Sequence, residues 1–188
     1  MRRAPGLGSL VAQPLGGGET QRIATCLAVF AVVAALSATA SAQEPGIVPG
    51  KAIGSLELGQ DLEPIIGVLG PLHSEDDLPG GSFRGYYWPL KRIGVIVDRG
   101  TKKVVALAIS YDDGYQTPKG VAAGTEMDIV RSAYGQEESV DSHQEDDTLV
   151  YDRLGVAFVV DKSGALGGRV SVIFVFGEGR YHDIFQGQ

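Results

Sequence analysis

"GQDLEPIIGVLGP" at residues 59–71 and "GTEMDIVRSAYGQ" at 124–136 carry one pattern twice. Each opens on Gly, places an acid two positions later, spaces apolar residues along one helical face and closes on a second Gly. In the first, Leu62, Ile65, Ile66 and Leu69 fall at i, i+3, i+4 and i+7, a single apolar stripe. Asp61 stands where a helix is capped, and Pro64 falls in the first turn, where a missing N–H costs nothing. Gly70 and Pro71 then stop the helix. In the second, Met127, Val130 and Tyr134 supply the stripe, Thr125 and Asp128 predict a capping box, and Gly135 closes it. The spacing predicts helices over 60–69 and 125–134.

The segments behind the two helices match as well. "HSEDDLPGGS" precedes "FRGYYWPLKRIGVIVDRGTKKVVALAISYD", and "EESVDSHQEDD" precedes "TLVYDRLGVAFVVDKSGALGGRVSVIFVFG". Both read as a polar loop and then strand, turn, strand, turn, strand, with Asp and Gly where hairpins need them. Val105, Leu107, Ile109 and Tyr111 alternate with Ala106, Ala108 and Ser110, so this strand has one large-residue and one small-residue face. Residues 170–176 are apolar on both faces, which predicts a central strand. One helix and three strands make a thin core, because small domains bury too little surface. Two such units sharing an interior remedy that. The expected fold is therefore α+β, built from two tandem repeats. Each is a short helical segment on an antiparallel three- to four-stranded sheet, with 56–109 and 121–176 superposing.

Ahead of the repeats, "CLAVFAVVAALSA" at 26–38 is an apolar run behind Arg22, with Ala40-Ser41-Ala42 after it. Thirteen residues fall short of the about 20 that span a bilayer, so residues 1–42 read as a signal peptide cleaved before Gln43. The lone cysteine, Cys26, precedes the apolar run, whereas a lipoprotein cysteine comes after it; no acyl chain is expected. The expected divisions are 1–42, 43–115 and 116–188. The mature chain is exported to the periplasm or the extracellular space, keeps no membrane span and holds no thiol. Taking Arg2, Arg3, Arg22 and Glu19 from 16 basic and 23 acidic residues leaves 13 against 22, a net charge of −9. Such a chain is repelled by nucleic-acid phosphate.

The helix pattern, an aliphatic residue, Gly, a capping residue, a spaced apolar stripe and a closing Gly, then a polar loop and three antiparallel strands, resembles the BamE/SmpA and β-lactamase-inhibitor-protein superfamily. The tandem form is similar to the inhibitor branch in particular. The resemblance spans about residues 50–176. It implies a fold, and neither an activity nor the identity of a partner. The chain departs from the assembly-factor branch in lacking a usable lipobox and from the inhibitor in lacking mature cysteines.

No catalytic constellation emerges. His73, His143 and His182 form no metal-ligand spacing. Ser110, Asp112, Asp113 and His143 include no G-x-S-x-G elbow. The acid runs Glu75-Asp76-Asp77 and Glu145-Asp146-Asp147 fit solvated loops, and neither has the spacing of a calcium loop. "FRGYYWPL" at 83–90 concentrates aromatics, the only Trp among them, and Tyr and Trp dominate binding hot spots. The expected partner-binding set is Tyr87, Trp88, Tyr111 and Tyr115, rimmed by Asp76 and Asp77, suited to a protein with a basic patch. The sequence thus describes a non-enzymatic protein-binding module, an inhibitor or an envelope-assembly factor, with no cofactor. The alternative is a small-ligand or calcium-binding protein of the envelope.

Overall fold

Alternating apolar residues in "FRGYYW", "IGVIVD" and "VVALAIS" dictate strands with two distinct faces, and these strands pair in sequence order. The computed structural model describes residues 46–71, 74–111 and 114–187. The signal-peptide reading of 1–42, with Cys26 and the Gln43 terminus, lies outside them, as do His73, Asp112 and Asp113.

A three-stranded meander comes first: β1 (Ile47–Val48), β2 (Ala52–Ile53) and β3 (Leu56–Glu57). Helix α1 (Leu62–Leu69) leads into β4 (Ser74–Asp77), β5 (Phe83–Trp88), β6 (Ile93–Asp98) and β7 (Val104–Ser110). Helix α2 (Met127–Tyr134) leads into β8 (Ser139–Ser142), β9 (Asp146–Tyr151), β10 (Val156–Asp161) and β11 (Val170–Phe176). A short helix α3 (Tyr181–Phe185) comes last. The class is α+β, mostly antiparallel sheet with few helices.

Instead of two sheets sharing an interior, the strands form one eight-stranded sheet ordered β4-β5-β6-β7-β11-β10-β9-β8. The reason lies in β7 and β11. Both are apolar and largely buried, and they pair antiparallel at the centre, joining Ile109 to Ile173, Ala108 to Phe174 and Leu107 to Val175. The two edges are the polar stretches "SEDD" and "SVDS". Both segments expected to be polar loops are thus in part edge strands, and charged edges discourage pairing with other chains.

The main core lies between one sheet face and α1, α2 and the meander. Ile65 and Val130 enter it from the helices, Ile53 and Leu56 from the meander, and Val95, Leu107 and Ile173 from the sheet. A second cluster on the opposite face gathers Phe83, Ile96, Phe176, Tyr181 and Ile184 beneath α3. Both long helices end on glycines with φ of 89° and 86°, conformations that only Gly adopts cheaply. The capping box does not form. Glu126 is the N-cap, while the Thr125 hydroxyl accepts the Ala122 N–H at 3.0 Å. Asp61 makes no side-chain cap either, and its carboxylate pairs with Lys103 at 2.9 Å.

The meander is fixed by close backbone contact. Gly50 N–H donates to the Gly155 carbonyl at 3.1 Å. A Cβ on Gly155, whose φ is +65°, would fall 2.2 Å from the Phe176 oxygen and 2.6 Å from the Gly50 Cα.

Candidate functional site

In β5, β6 and β7 one face carries Trp88, Ile93, Val95, Leu107 and Ile109 into the helical core. The other face carries the small residues Gly85, Gly94, Ala108 and Ser110. Register turns this alternation into a site. Tyr87 pairs with Gly94, Gly94 with Ala108, and Ala108 with Phe174, so two small residues lie side by side between two rings. A Cβ added at Gly94 would stand 3.2 Å from the Ala108 Cβ, so the floor is closely packed. Phe174 is backed by Phe185 of α3, with ring centroids 4.9 Å apart. The result is a largely apolar groove of ≈ 520 Å³ on the sheet face away from α1 and α2. That volume lies within the range of small-molecule sites.

At one end of the groove stand Tyr111 and Arg92, both with positive φ, 49° and 55°. An Arg92 Nη1–H donates to the Tyr111 carbonyl, and the Arg92 carbonyl in turn accepts the Ser110 N–H at 3.0 Å. Strict alternation assigns Tyr111 to the large-residue face with Leu107 and Ile109. Its left-handed backbone breaks the alternation and brings the ring to the groove beside Ser110. Its hydroxyl donates to Asp161 Oδ2 at 3.3 Å. Burial, and after it the Asp161 carboxylate, push the phenol pKa up from its usual value, so the group stays a donor.

Of the residues expected to bind a partner, the structure brings together Tyr87, Tyr111 and Asp76. Tyr87 is 41% and Tyr111 44% exposed. Trp88 does not belong with them. Only 2% exposed, it points into the helical core, where its Nε1–H donates to the Gly70 carbonyl at 2.9 Å. Tyr115 also lies on the helical side, half-buried, its ring so near the meander that a Cβ on Gly54 would meet it at 2.9 Å. Asp77 faces away from Asp76. It pairs with Arg84 at 2.7 Å and Arg99 at 3.3 Å, and the hydrogen bond from Arg84 holds its carboxyl below the usual range. The groove residues missed in the sequence are Arg92, Gly94, Phe174 and Phe185. The small-residue face of β7 was the one readable signal of a floor.

Other candidate chemistries are not assembled. Glu75 and Asp77 share Arg84 while Asp76 points to the opposite face, so the three carboxylates do not converge. Among the described residues no group of three His, Cys, Asp or Glu is placed to hold a metal ion. Ser110 is on β7 and His143 comes after β8 at the far edge, four strand spacings or roughly 19 Å away. Among the described residues no helix is long and apolar enough to cross a membrane.

No protein-family model matches the chain, and no curated protein matches it. Two solved structures are similar in shape. One is a cysteine-rich secretory protein from Staphylococcus aureus, with 12% identity and a TM-score of 0.43, covering 73% of this chain and 50% of its own. The other is a DUF4309 family protein from Bacillus subtilis, with 11% identity and a TM-score of 0.43, covering 68% of this chain and 88% of its own. The chain thus spans half the length of the staphylococcal protein. Neither carries a function over to it.

Proposed function

We propose that this chain is an exported, non-enzymatic protein-binding module and that the groove is where its partner engages. The observation that carries this reading is the open trough of Gly94 and Ala108 between Tyr87 and Phe174, with Tyr111 at its end. Exposed tyrosines beside a pocket are the usual makings of a hot spot, since a ring supplies area and a hydroxyl at little entropic cost. Asp76 on the rim adds attraction for a basic patch. A photo-reactive benzoylphenylalanine at position 87, expressed in the native host, tests it. One discrete adduct is expected from position 87 and none from Leu154, which is 42% exposed on the β9–β10 turn. Adducts identical at both positions, or none at 87, would defeat the reading. Intact mass beginning at Gln43 with no acyl chain is the expectation for export.

The tandem organisation and its likeness to the BamE/SmpA and β-lactamase-inhibitor-protein superfamily belong to the same proposal. Near-constant offsets support them. Helices α1 and α2 are 65 residues apart, β4 and β8 also 65, β5 and β9 63, β7 and β11 66. Hydrogen bonds repeat at similar offsets. Gly59 N–H donates to Val104 O and Gly124 N–H to Val170 O, each at 2.8 Å. Trp88 donates to Gly70 O and Tyr151 to Gly135 O, each at 2.9 Å.

A second reading, a small-ligand binder, is favoured by one observation: the groove's volume suits a small molecule. Calcium is a poor candidate, because the acidic runs are divided between faces and tied to Arg84, Arg99 and Lys162.

A further inference from the structure

We propose that the groove binds a small carboxylic acid with a flat apolar body, laid between Tyr87 and Phe174 with its carboxylate on the Arg92 guanidinium. This rests on the small-ligand reading and names the ligand's chemistry. The apolar half of the case is the trough itself, whose floor has only small residues at Gly94 and Ala108 while the walls keep their rings.

The charged half is Arg92. Among the described residues, Arg84, Arg99, Arg131, Arg153, Arg169 and Arg180 each hold a carboxylate. Arg92 alone holds none of the described carboxylates. Among the described residues its one side-chain bond is to the Tyr111 carbonyl, which places the guanidinium at the groove's end, and none of its other donors is engaged by a described group. Asp112 and Asp113 come next in sequence after Tyr111 and lie outside the described residues. A planar fork of donors matches a carboxylate bidentately, and a carboxylate on a flat apolar body suits a trough that is otherwise almost wholly apolar. Asp76, also on the groove, is two strands and four residues away along the sheet, roughly 16 Å by strand geometry, so it does not compete for the same group.

An extended peptide strand laid along the floor is the less suitable occupant, while a folded partner can still engage the wall rings and the rim from above. The floor strands β5, β6, β7 and β11 are paired on both sides, so their backbone groups are already spent. A peptide laid there would bury amides without partners, at a cost a small acid does not incur.

Titration of the isotope-labelled protein with 4-phenylbutyrate, monitored by amide NMR, tests the proposal. The acid is expected to move the Gly94, Ala108 and Ser110 signals and to bind about tenfold more tightly than its neutral amide, the worth of one charged hydrogen bond. 4-Phenylbutylamine should bind least. Arg92→Gln should erase the difference between acid and amide, and Ala108→Leu should fill the floor and abolish binding of both. Arg92 is exposed, so its variant stays interpretable even if the Leu variant misfolds. Equal affinity for acid and amide, an unchanged Arg92→Gln, unmoved groove signals, or tighter binding of the peptide acid acetyl-Ala-Ala-Phe would each overturn it. A position-87 crosslink that persists when the acid fails to bind would sink this inference alone and leave the protein-binding reading standing.

Discussion

Tyr87 and Trp88 are neighbours in sequence with opposite roles. The period of two in a strand sends one ring to each face, and only burial against α1 decides which is core. Trp88→Ala should cost about 3–5 kcal/mol in urea unfolding, as removal of a buried aromatic does. Tyr87→Ala should leave the unfolding midpoint where it is and weaken partner binding by about 2 kcal/mol, measured by calorimetry. A midpoint that falls equally for both would mean that Tyr87 is structural. At this scale the sequence was half legible. Aromatic density at 83–90 drew attention to the strand that walls the groove, and the alternation of Val105–Ser110 predicted a strand with one small-residue face. The positive φ of Tyr111, which places that ring at the groove, left no trace in composition. Nor did Arg92, whose meaning depends on a contact with a residue 19 positions away.

The two helices were the most legible elements, because stripe and terminal Gly are local signals. Their caps were not, since the Thr125 hydroxyl is taken by the Ala122 N–H within its own turn and the Asp61 carboxylate by Lys103, just ahead of β7. The meander β1–β3 was missed because two-residue strands are too short for any period to show, and β4 and β8 because edge strands bury almost nothing. Each helix end is tied down by an aromatic donor, so Trp88→Phe and Tyr151→Phe should each cost about 1 kcal/mol, the net worth of one hydrogen bond, with Trp88 somewhat more for lost volume. A large inequality between the two would argue against equivalent roles.

Helix α2 has a further tie in Arg131, which grips Glu137 through two hydrogen bonds of 2.7 and 3.1 Å. That contact, chiefly its hydrogen bonds, lowers the Glu137 pKa below its ordinary value of 4.5. The folded pKa is depressed, so the pair stabilises above about pH 4.5 and its contribution is lost as pH falls through the folded value. Glu137→Gln should cost about 1 kcal/mol at pH 7, modest because Arg131 remains 37% exposed, and the gap from wild type should close in acid. Unfolding curves at pH 7 and pH 3 with the same gap would refute this.

At the scale of the molecule, the apolar β7 and β11 bind the halves into a single sheet. Residues 43–115 expressed alone would leave β7 an unpaired, apolar edge, the kind of strand that seeks another chain. Light scattering is expected to find that fragment dimeric or aggregated, and a stable folded monomer would contradict the central role of the β7–β11 pairing. The α+β class with antiparallel strands was foreseeable from pattern; the union of the strands into one eight-stranded sheet was not, because register between distant strands is set by three-dimensional fit.

Ala108 and Phe174 stand 66 residues apart, the offset of their strands, and are also each other's partners across the centre of the sheet. On the proposed tandem reading they would sit on a pseudo-twofold axis, where matched residues meet face to face. Two phenylalanines there would plug the floor, and two alanines would leave Phe185 unsupported and the surface flat. The difference at this pair makes the trough lopsided, with Tyr87 on one wall and Phe174 on the other. On the small-acid proposal, a groove of that handedness would admit its occupant one way round, with the polar end toward Arg92.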